Sequence, residues 1–225
     1  MDFELMINSF PKLLSAAVIT LKLLSVSLII GLFIGLLFAI LRLNRNIFIN
    51  KFAYGYSYLF RGTPLLVQIF IIYFGLGQIE YLRTTFLWTI LREPYWCAII
   101  AFALNTGAYT SEILRSAFQT IKPGIIEAGK SLGISSKIIF YKIIFPQMLR
   151  LAISNLSNVW QITLKDTSLI SVTGLVEIMR QSYIAAGSTR DPLFFYSFAA
   201  VLYLLLTFIS MKLINKLEVK YSRGY

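Results

Sequence analysis

Histidine is absent from this 225-residue chain, and cysteine occurs once, at Cys97. Those two scarcities exclude an internal disulfide and leave no Cys/His set for a soft metal, so no metal site is expected. Acidic residues are few as well, 10 Asp and Glu against 21 Lys and Arg. The resulting formal charge of +11 invites a nucleic-acid partner. The basic residues fall between apolar runs, however, where membrane topology alone places them, and no nucleic-acid partner is expected. What the chain does have is apolar surface: 57% of residues are hydrophobic, only 14% are charged, and mean hydropathy is +0.73. A soluble domain could not shield that much apolar surface from water, whereas a bilayer could.

A membrane span needs about 20 mostly apolar residues. Five segments qualify as candidates, at 13–41, 63–79, 96–114, 151–172 and 193–213. The stretch 46–60 is aromatic and less apolar, and it can start the same helix as the second span. The fourth span is the weakest because it contains Lys165 and Asp166. The run 13–41 is too long for the apolar core of a cleavable signal, and further spans follow it. With the N-terminus outside, the inside segments 42–51, 115–142 and 212–225 hold twelve Lys and Arg, and the outside segments hold five. That bias predicts N-outside and C-inside, and it supports the fourth span, without which the basic tail would fall outside. The expected architecture is an all-α integral membrane bundle of about five helices, one domain over 1–225 with a cytoplasmic loop at about 120–146.

Polar residues inside the spans are the next clue. Ser154, Asn158, Gln161, Lys165 and Ser168 recur at steps of 4, 3, 4 and 3, which places them on one helix face. Asn105, Tyr109, Glu112 and Ser116 make a weaker stripe in the third span. A Lys or Asp at mid-bilayer costs about 2.5–3.5 kcal/mol on insertion scales, so such faces avoid lipid. They line a wet path or form a helix interface. Neighbours on a helix do not face each other, so Lys165 and Asp166 are not expected simply to neutralise one another; they can mark a helix break beside a cavity.

Gly124-Ile-Ile-Glu-Ala-Gly129-Lys130-Ser131 fits the nucleotide-binding pattern G-x-x-x-x-G-K-[ST]. That pattern should follow a buried strand and open a helix in a parallel-sheet domain, and this chain has no room for one. The segment makes better sense as two short helices. Pro123 suits a first helical turn, Gly133 a stop after 125–132, Ser135 a second cap, and Pro146 the way back into the membrane.

The same segment resembles the EAA loop of permeases in binding-protein-dependent ABC importers, E-A-A, three residues, G, nine residues, I, one residue, L-P. The chain has Glu127-Ala128-Gly129, then Gly133, Ile143 and Phe145-Pro146. Gly129 replaces the second Ala and should loosen the first helix; Phe145 replaces Leu. Arg61-Gly-Thr-Pro-Leu-Leu-Val-Gln68 and Lys165-Asp-Thr-Ser-Leu169 are similar to the polar amino-acid branch, which carries histidine, glutamine, arginine, cystine and related solutes. The resemblance implies a bacterial inner-membrane permease subunit, paired with an identical or sister permease. Its further partners would be two ABC ATPase subunits and an external solute-binding protein. ATP would be bound by the ATPase, with no cofactor and no covalent chemistry in this chain. It implies that Glu127, Ala128, Gly129 and Gly133 contact the ATPase. By the family motifs, Lys165, Asp166 and Thr167, with Gln68 facing them, are the candidate substrate residues, since a zwitterion needs one partner of each sign. Lys165 and Asp166 could instead brace a dimer interface or a helix break, and Arg61 to Pro64 could be structural. A secondary transporter or channel working without ATP is the alternative, and the ordered basic loop argues against it.

Overall fold

The structure, a computed structural model, describes residues 3–222, which are mostly helical with no strand among them. The first helix, α1 (Phe3–Arg42), is apolar all round and 40 residues long, about 60 Å. It runs down α6 (Pro94–Gln119), the most buried helix of the fold. Small residues set that contact. Cβ atoms built at Gly35 and Gly107 would lie 2.5 Å from Thr110 Cβ and 2.8 Å from Ile34 Cγ2. Backbones approach this closely only where side chains are missing, the usual solution when lipid supplies no hydrophobic drive between helices.

Helix α2 (Ile47–Gly62) starts at an Asn46 cap and lies on α6, where Tyr56 donates to the Leu104 carbonyl at 2.7 Å and Ser57 to that of Ala108 at 3.3 Å. It does not continue into the next helix. Thr63 is extended (φ −112°, ψ 145°), as the residue before a proline tends to be. The chain then turns by 103° into α3 (Leu65–Phe70) and its continuation to Gln78. The single second span is therefore corrected to two legs meeting at Thr63-Pro64. The second leg, Leu65–Gln78, is about 21 Å long, short of the roughly 30 Å hydrocarbon layer. Short α4 (Glu80–Arg83) and α5 (Leu87–Leu91) lead to α6.

After α6 come α7 (Pro123–Ser131) and α8 (Ser136–Ile138). Through a π-helical stretch, Ile139–Ile144, α8 runs on into α9 (Phe145–Asp166). Pro146 falls in the first turn of α9, at the start of the return helix as expected, where a proline costs no helical hydrogen bond. A 3₁₀ stretch, Thr167–Thr173, and a left-handed Gly174 (φ 88°) then lead to α10 (Ile178–Thr189) and α11 (Pro192–Ser222).

Among the described residues, three helices are long and apolar enough to cross a bilayer alone, Ile7–Arg42, Pro94–Gln119 and Pro192–Lys216, and the bent α2–α3 pair can make a fourth. At 22 residues α9 is long enough as well, but its composition is more polar.

Candidate functional site: a two-signed cavity and an exposed loop helix

The corner between α2 and α3 is held by two amide side chains, Gln68 and Asn105. Breaking the helix at Pro64 leaves carbonyls without partners. The Gln68 amide fills them, donating to Phe60 O at 2.9 Å, Thr63 O at 3.1 Å and Thr63 Oγ1 at 2.9 Å. Asn105 on α6 adds a bond to Phe60 O at 2.9 Å and another to Gln68 Oε1 at 3.3 Å. Gln68 is buried, and its polar atoms are committed to this corner.

In front of the corner lies a cavity of about 440 Å³. Its walls are Arg61 and the turn after it, Asn105 and Tyr109 of α6, and Thr163 and Asp166 at the end of α9. One guanidinium and one carboxylate thus enter the same space, and among the described residues no ion pair joins them. Of the four residues named from the family motifs, Asp166 is on the cavity wall. Lys165 is exposed on the neighbouring face of α9, because adjacent helical residues diverge by about 100°. Thr167 is fully buried, its hydroxyl donating to Leu164 O at 2.6 Å as α9 tightens into the 3₁₀ turn. That tightening is a change of helix type at Lys165-Asp166, short of a full break.

The polar stripes divide. Ser154, Asn158 and Lys165 are exposed, with Gln161 and Ser168 half-buried. On α6, Asn105 is buried at the corner, Tyr109 reaches the cavity, and Glu112 is engaged by arginines. Glu177, not singled out from the sequence, is fully buried and caps α10. It accepts from the amides of Met179 at 2.8 Å and Arg180 at 2.7 Å and from the Tyr203 hydroxyl at 2.9 Å. It ties α10 to α11 behind Thr167. A Glu with no basic partner carries no sequence signal for such a role, since glutamate is not a favoured cap.

The loop after α6 is ordered. Gly133 takes φ 71°, and Ile134 N donates back to Gly129 O at 3.1 Å, closing α7 with a left-handed stop. Ile125, Ile126 and buried Gly129 face inward, while Glu127, Ala128, Gly133 and Leu132 (78% exposed) face out. At Gly129 a Cβ would meet Ile139 Cδ1 at 2.9 Å, so the missing side chain lets the start of the α9 helix lie against α7. The nucleotide-like pattern falls inside the short helix α7, with no strand before it among the described residues, so it does not form the strand–loop–helix setting that a phosphate cradle needs.

The geometry is that of a helical membrane protein with a cavity carrying charges of both signs and a short exposed helix in the loop after α6. Residues 31–222 match the family described as the binding-protein-dependent transport system inner membrane component. The chain is 41% identical to a nopaline transport system permease protein of Agrobacterium fabrum (strain C58), covering 97% of this chain and 91% of that one. It is 37% identical to an arginine ABC transporter permease protein of Haemophilus influenzae, covering 97% of each. A crystal structure of an amino acid ABC transporter with histidines superposes with a TM-score of 0.84 at 30% identity, covering 98% of this chain and 99% of that one. The chain belongs to this family of inner-membrane ABC permease subunits. It is thus a transport subunit rather than an enzyme, and membership implies ABC ATPase and binding-protein partners in general.

Proposed function

We propose that this chain forms the solute path of an ATP-driven importer for amino acids or their close derivatives, the solutes named for its nopaline and arginine relatives. The observation that carries the reading is the meeting of Arg61 and Asp166 across one cavity. A zwitterion offers an ammonium to Asp166 and a carboxylate to Arg61, and in a low-dielectric cleft both contacts are strong. Gln68 and Thr167 act from behind, fixing the corner and the end of α9 that carry those charges. Lys165 sits on the outward polar face of α9, where a second permease, identical or homologous, would cover it.

The N-terminus lies outside, following the loop charges, and α9 completes the crossings. Helix α7 then faces the cytoplasm and lodges on an ABC ATPase through Glu127, Ala128, Leu132 and the Gly129–Gly133 stop. ATP is bound by that partner, and no cofactor by this chain. An external binding protein delivers the solute. Tyr109 lies ten residues before the end of α6, about 15 Å along the helix, so movement of α7 is transmitted to the cavity wall through a rigid rod.

Reconstitution into proteoliposomes with ATPase and binding protein tests this, by following labelled arginine with and without ATP. Asp166→Asn should lower uptake at least tenfold, since removing one member of a buried charged contact costs about 1.5–3 kcal/mol, with the complex still assembled. Glu127→Lys should abolish ATP-dependent uptake while solute binding persists. Uptake indifferent to ATP and to Glu127 would sink the importer and favour a secondary transporter.

A further inference from the structure

Arg61 has a second neighbourhood. Another concavity, of about 380 Å³, is walled by Arg42, Arg61, Arg115 and Glu112 together with Ser57 and Tyr58. Arg42 comes from the last turn of α1, Arg61 from the last turn of α2, and Arg115 and Glu112 from α6. Glu112 accepts from Arg42 Nη1 at 3.1 Å and from Arg115 through Nε at 3.2 Å and through Nη2. Arg61 Nη1 stands off at 3.8 Å, beyond hydrogen-bond length.

Three guanidiniums against one carboxylate leave two positive charges uncompensated by the walls. Arg42 is only 11% exposed at its side chain, and its Nε is buried without an acceptor. Ring faces supply part of the balance, with Arg42 5.0 Å from the Tyr54 centroid and Arg61 5.5 Å from that of Tyr109. Besides Glu112, Gln119 Oε1 takes one donor, Arg115 Nη1 at 2.5 Å; among the described residues Arg42 Nε has no acceptor. Guanidiniums arranged around a concavity with free donors match the two oxygens of a carboxylate or the oxygens of a phosphate.

We propose that this concavity is an oxyanion site taking the carboxylate of the transported solute, a second station beside the cavity of Asp166. The two spaces share Arg61 and Gly62 in their walls, and a Cβ at Gly62 would meet nothing within 4 Å. A carboxylate leaving Asp166's cavity keeps Arg61 as its partner while gaining Arg42 and Arg115, and Glu112 holds the arginines when no anion is there. The identity of the carboxylate rests on the transport reading; the anion site itself does not. The other source of the same chemistry is the phosphate of an anionic lipid between α1, α2 and α6.

The test uses the intact permease–ATPase complex in phosphatidylcholine nanodiscs, with fluoroacetate as probe and ¹⁹F line broadening as readout. Saturable broadening is expected, weakened at least tenfold by Arg42→Gln or Arg115→Gln. Tyr58→Phe, which leaves every ion pair intact, should weaken it about threefold, and Arg42→Lys should keep part of it. Arg45→Gln, which removes the same charge from the exposed turn after α1, should leave it unchanged. No saturation, or binding equal in Arg42→Gln and wild type, would overturn the site. Repeating the titration in phosphatidylglycerol nanodiscs separates the sources. Unchanged binding supports the solute carboxylate, and suppression assigns the site to lipid phosphate and overturns the solute assignment. Uptake is not the readout, so failure of arginine transport with fluoroacetate binding intact would count against the transport reading alone.

Discussion

Helices α11 and α9 pack against each other yet show the outside opposite surfaces. Helix α11 exposes Val201, Leu204, Leu205, Phe208 and Ile209, an unbroken apolar face. Helix α9 exposes Ser154, Asn155, Asn158 and Lys165, interrupted by Leu151 and Ile162. Both are solvent-accessible in one protomer, so accessibility alone cannot separate them. Chemistry does: the first face suits hydrocarbon, and the second suits water or another protein. On the proposed reading, one surface of this subunit meets lipid and the other the solute path or a second permease, which is why the exposed face of α9 carries polar residues where that of α11 from Val201 to Ile209 carries none.

The largest effect should separate those two faces directly. Leu204→Asp puts a carboxylate near the middle of the outward face of α11, where insertion scales charge about 2.5–3.5 kcal/mol. Membrane-inserted yield should fall steeply, to a few per cent of wild type. Asn158→Asp, also on an exposed face, that of α9, should leave the yield within twofold. Equal losses at the two positions would mean that α9 also faces lipid.

A second effect sharpens the contrast between cavity front and back. Gln68→Leu preserves volume but strips the donor from Thr63 O and one of the two donors from Phe60 O. Leaving such groups unpaired costs about 1–3 kcal/mol. The detergent-purified protein should melt several degrees lower, and arginine uptake should fall, because the Arg61 end of the cavity rides on that corner. A melt equal to wild type with uptake lost would instead put Gln68 in direct contact with solute.

The difference in depth also explains what the sequence disclosed. The α7 stop was legible because its signals are local: Pro123 opens a turn, Gly133 must accept a left-handed φ, and Glu127 to Pro146 keep a fixed spacing. The apolar runs of α1, α6 and α11 were legible for the same reason. The cavity was not, because Arg61 and Asp166 are brought together by a 103° corner and by the packing of α2 and α9 around α6. Spacing could not say which of Lys165 and Asp166 turns inward, since that depends on the rotation of α9. Arg42 and Arg115 weighed only as topology charges, yet both reach Glu112. Merging 46–60 with 63–79 hid the two orphan carbonyls that give Gln68 its work.

The smallest effect tests the loop itself, at Gly129. From propensity alone, Gly129→Ala should firm α7 by about 0.5–1 kcal/mol. From packing, the new Cβ would sit 2.9 Å from Ile139 Cδ1 and 3.0 Å from Ile139 Cγ1. Those atoms belong to a flexible side chain, but Ile139 is buried in the cluster with Ile121 and Leu114, so it has little room to yield. The two contributions oppose each other and are of similar size. Stability should therefore change by less than about 1 kcal/mol, read as a melting shift of a few degrees at most. The angle between α7 and the start of the α9 helix should nevertheless open slightly, and ATPase stimulation by loaded binding protein should drop about twofold. Gly129→Ala paired with Ile139→Val, which removes the Cδ1 methyl, should restore it. Failure of that rescue would separate the glycine from α7–α9 packing and place its importance at the ATPase surface.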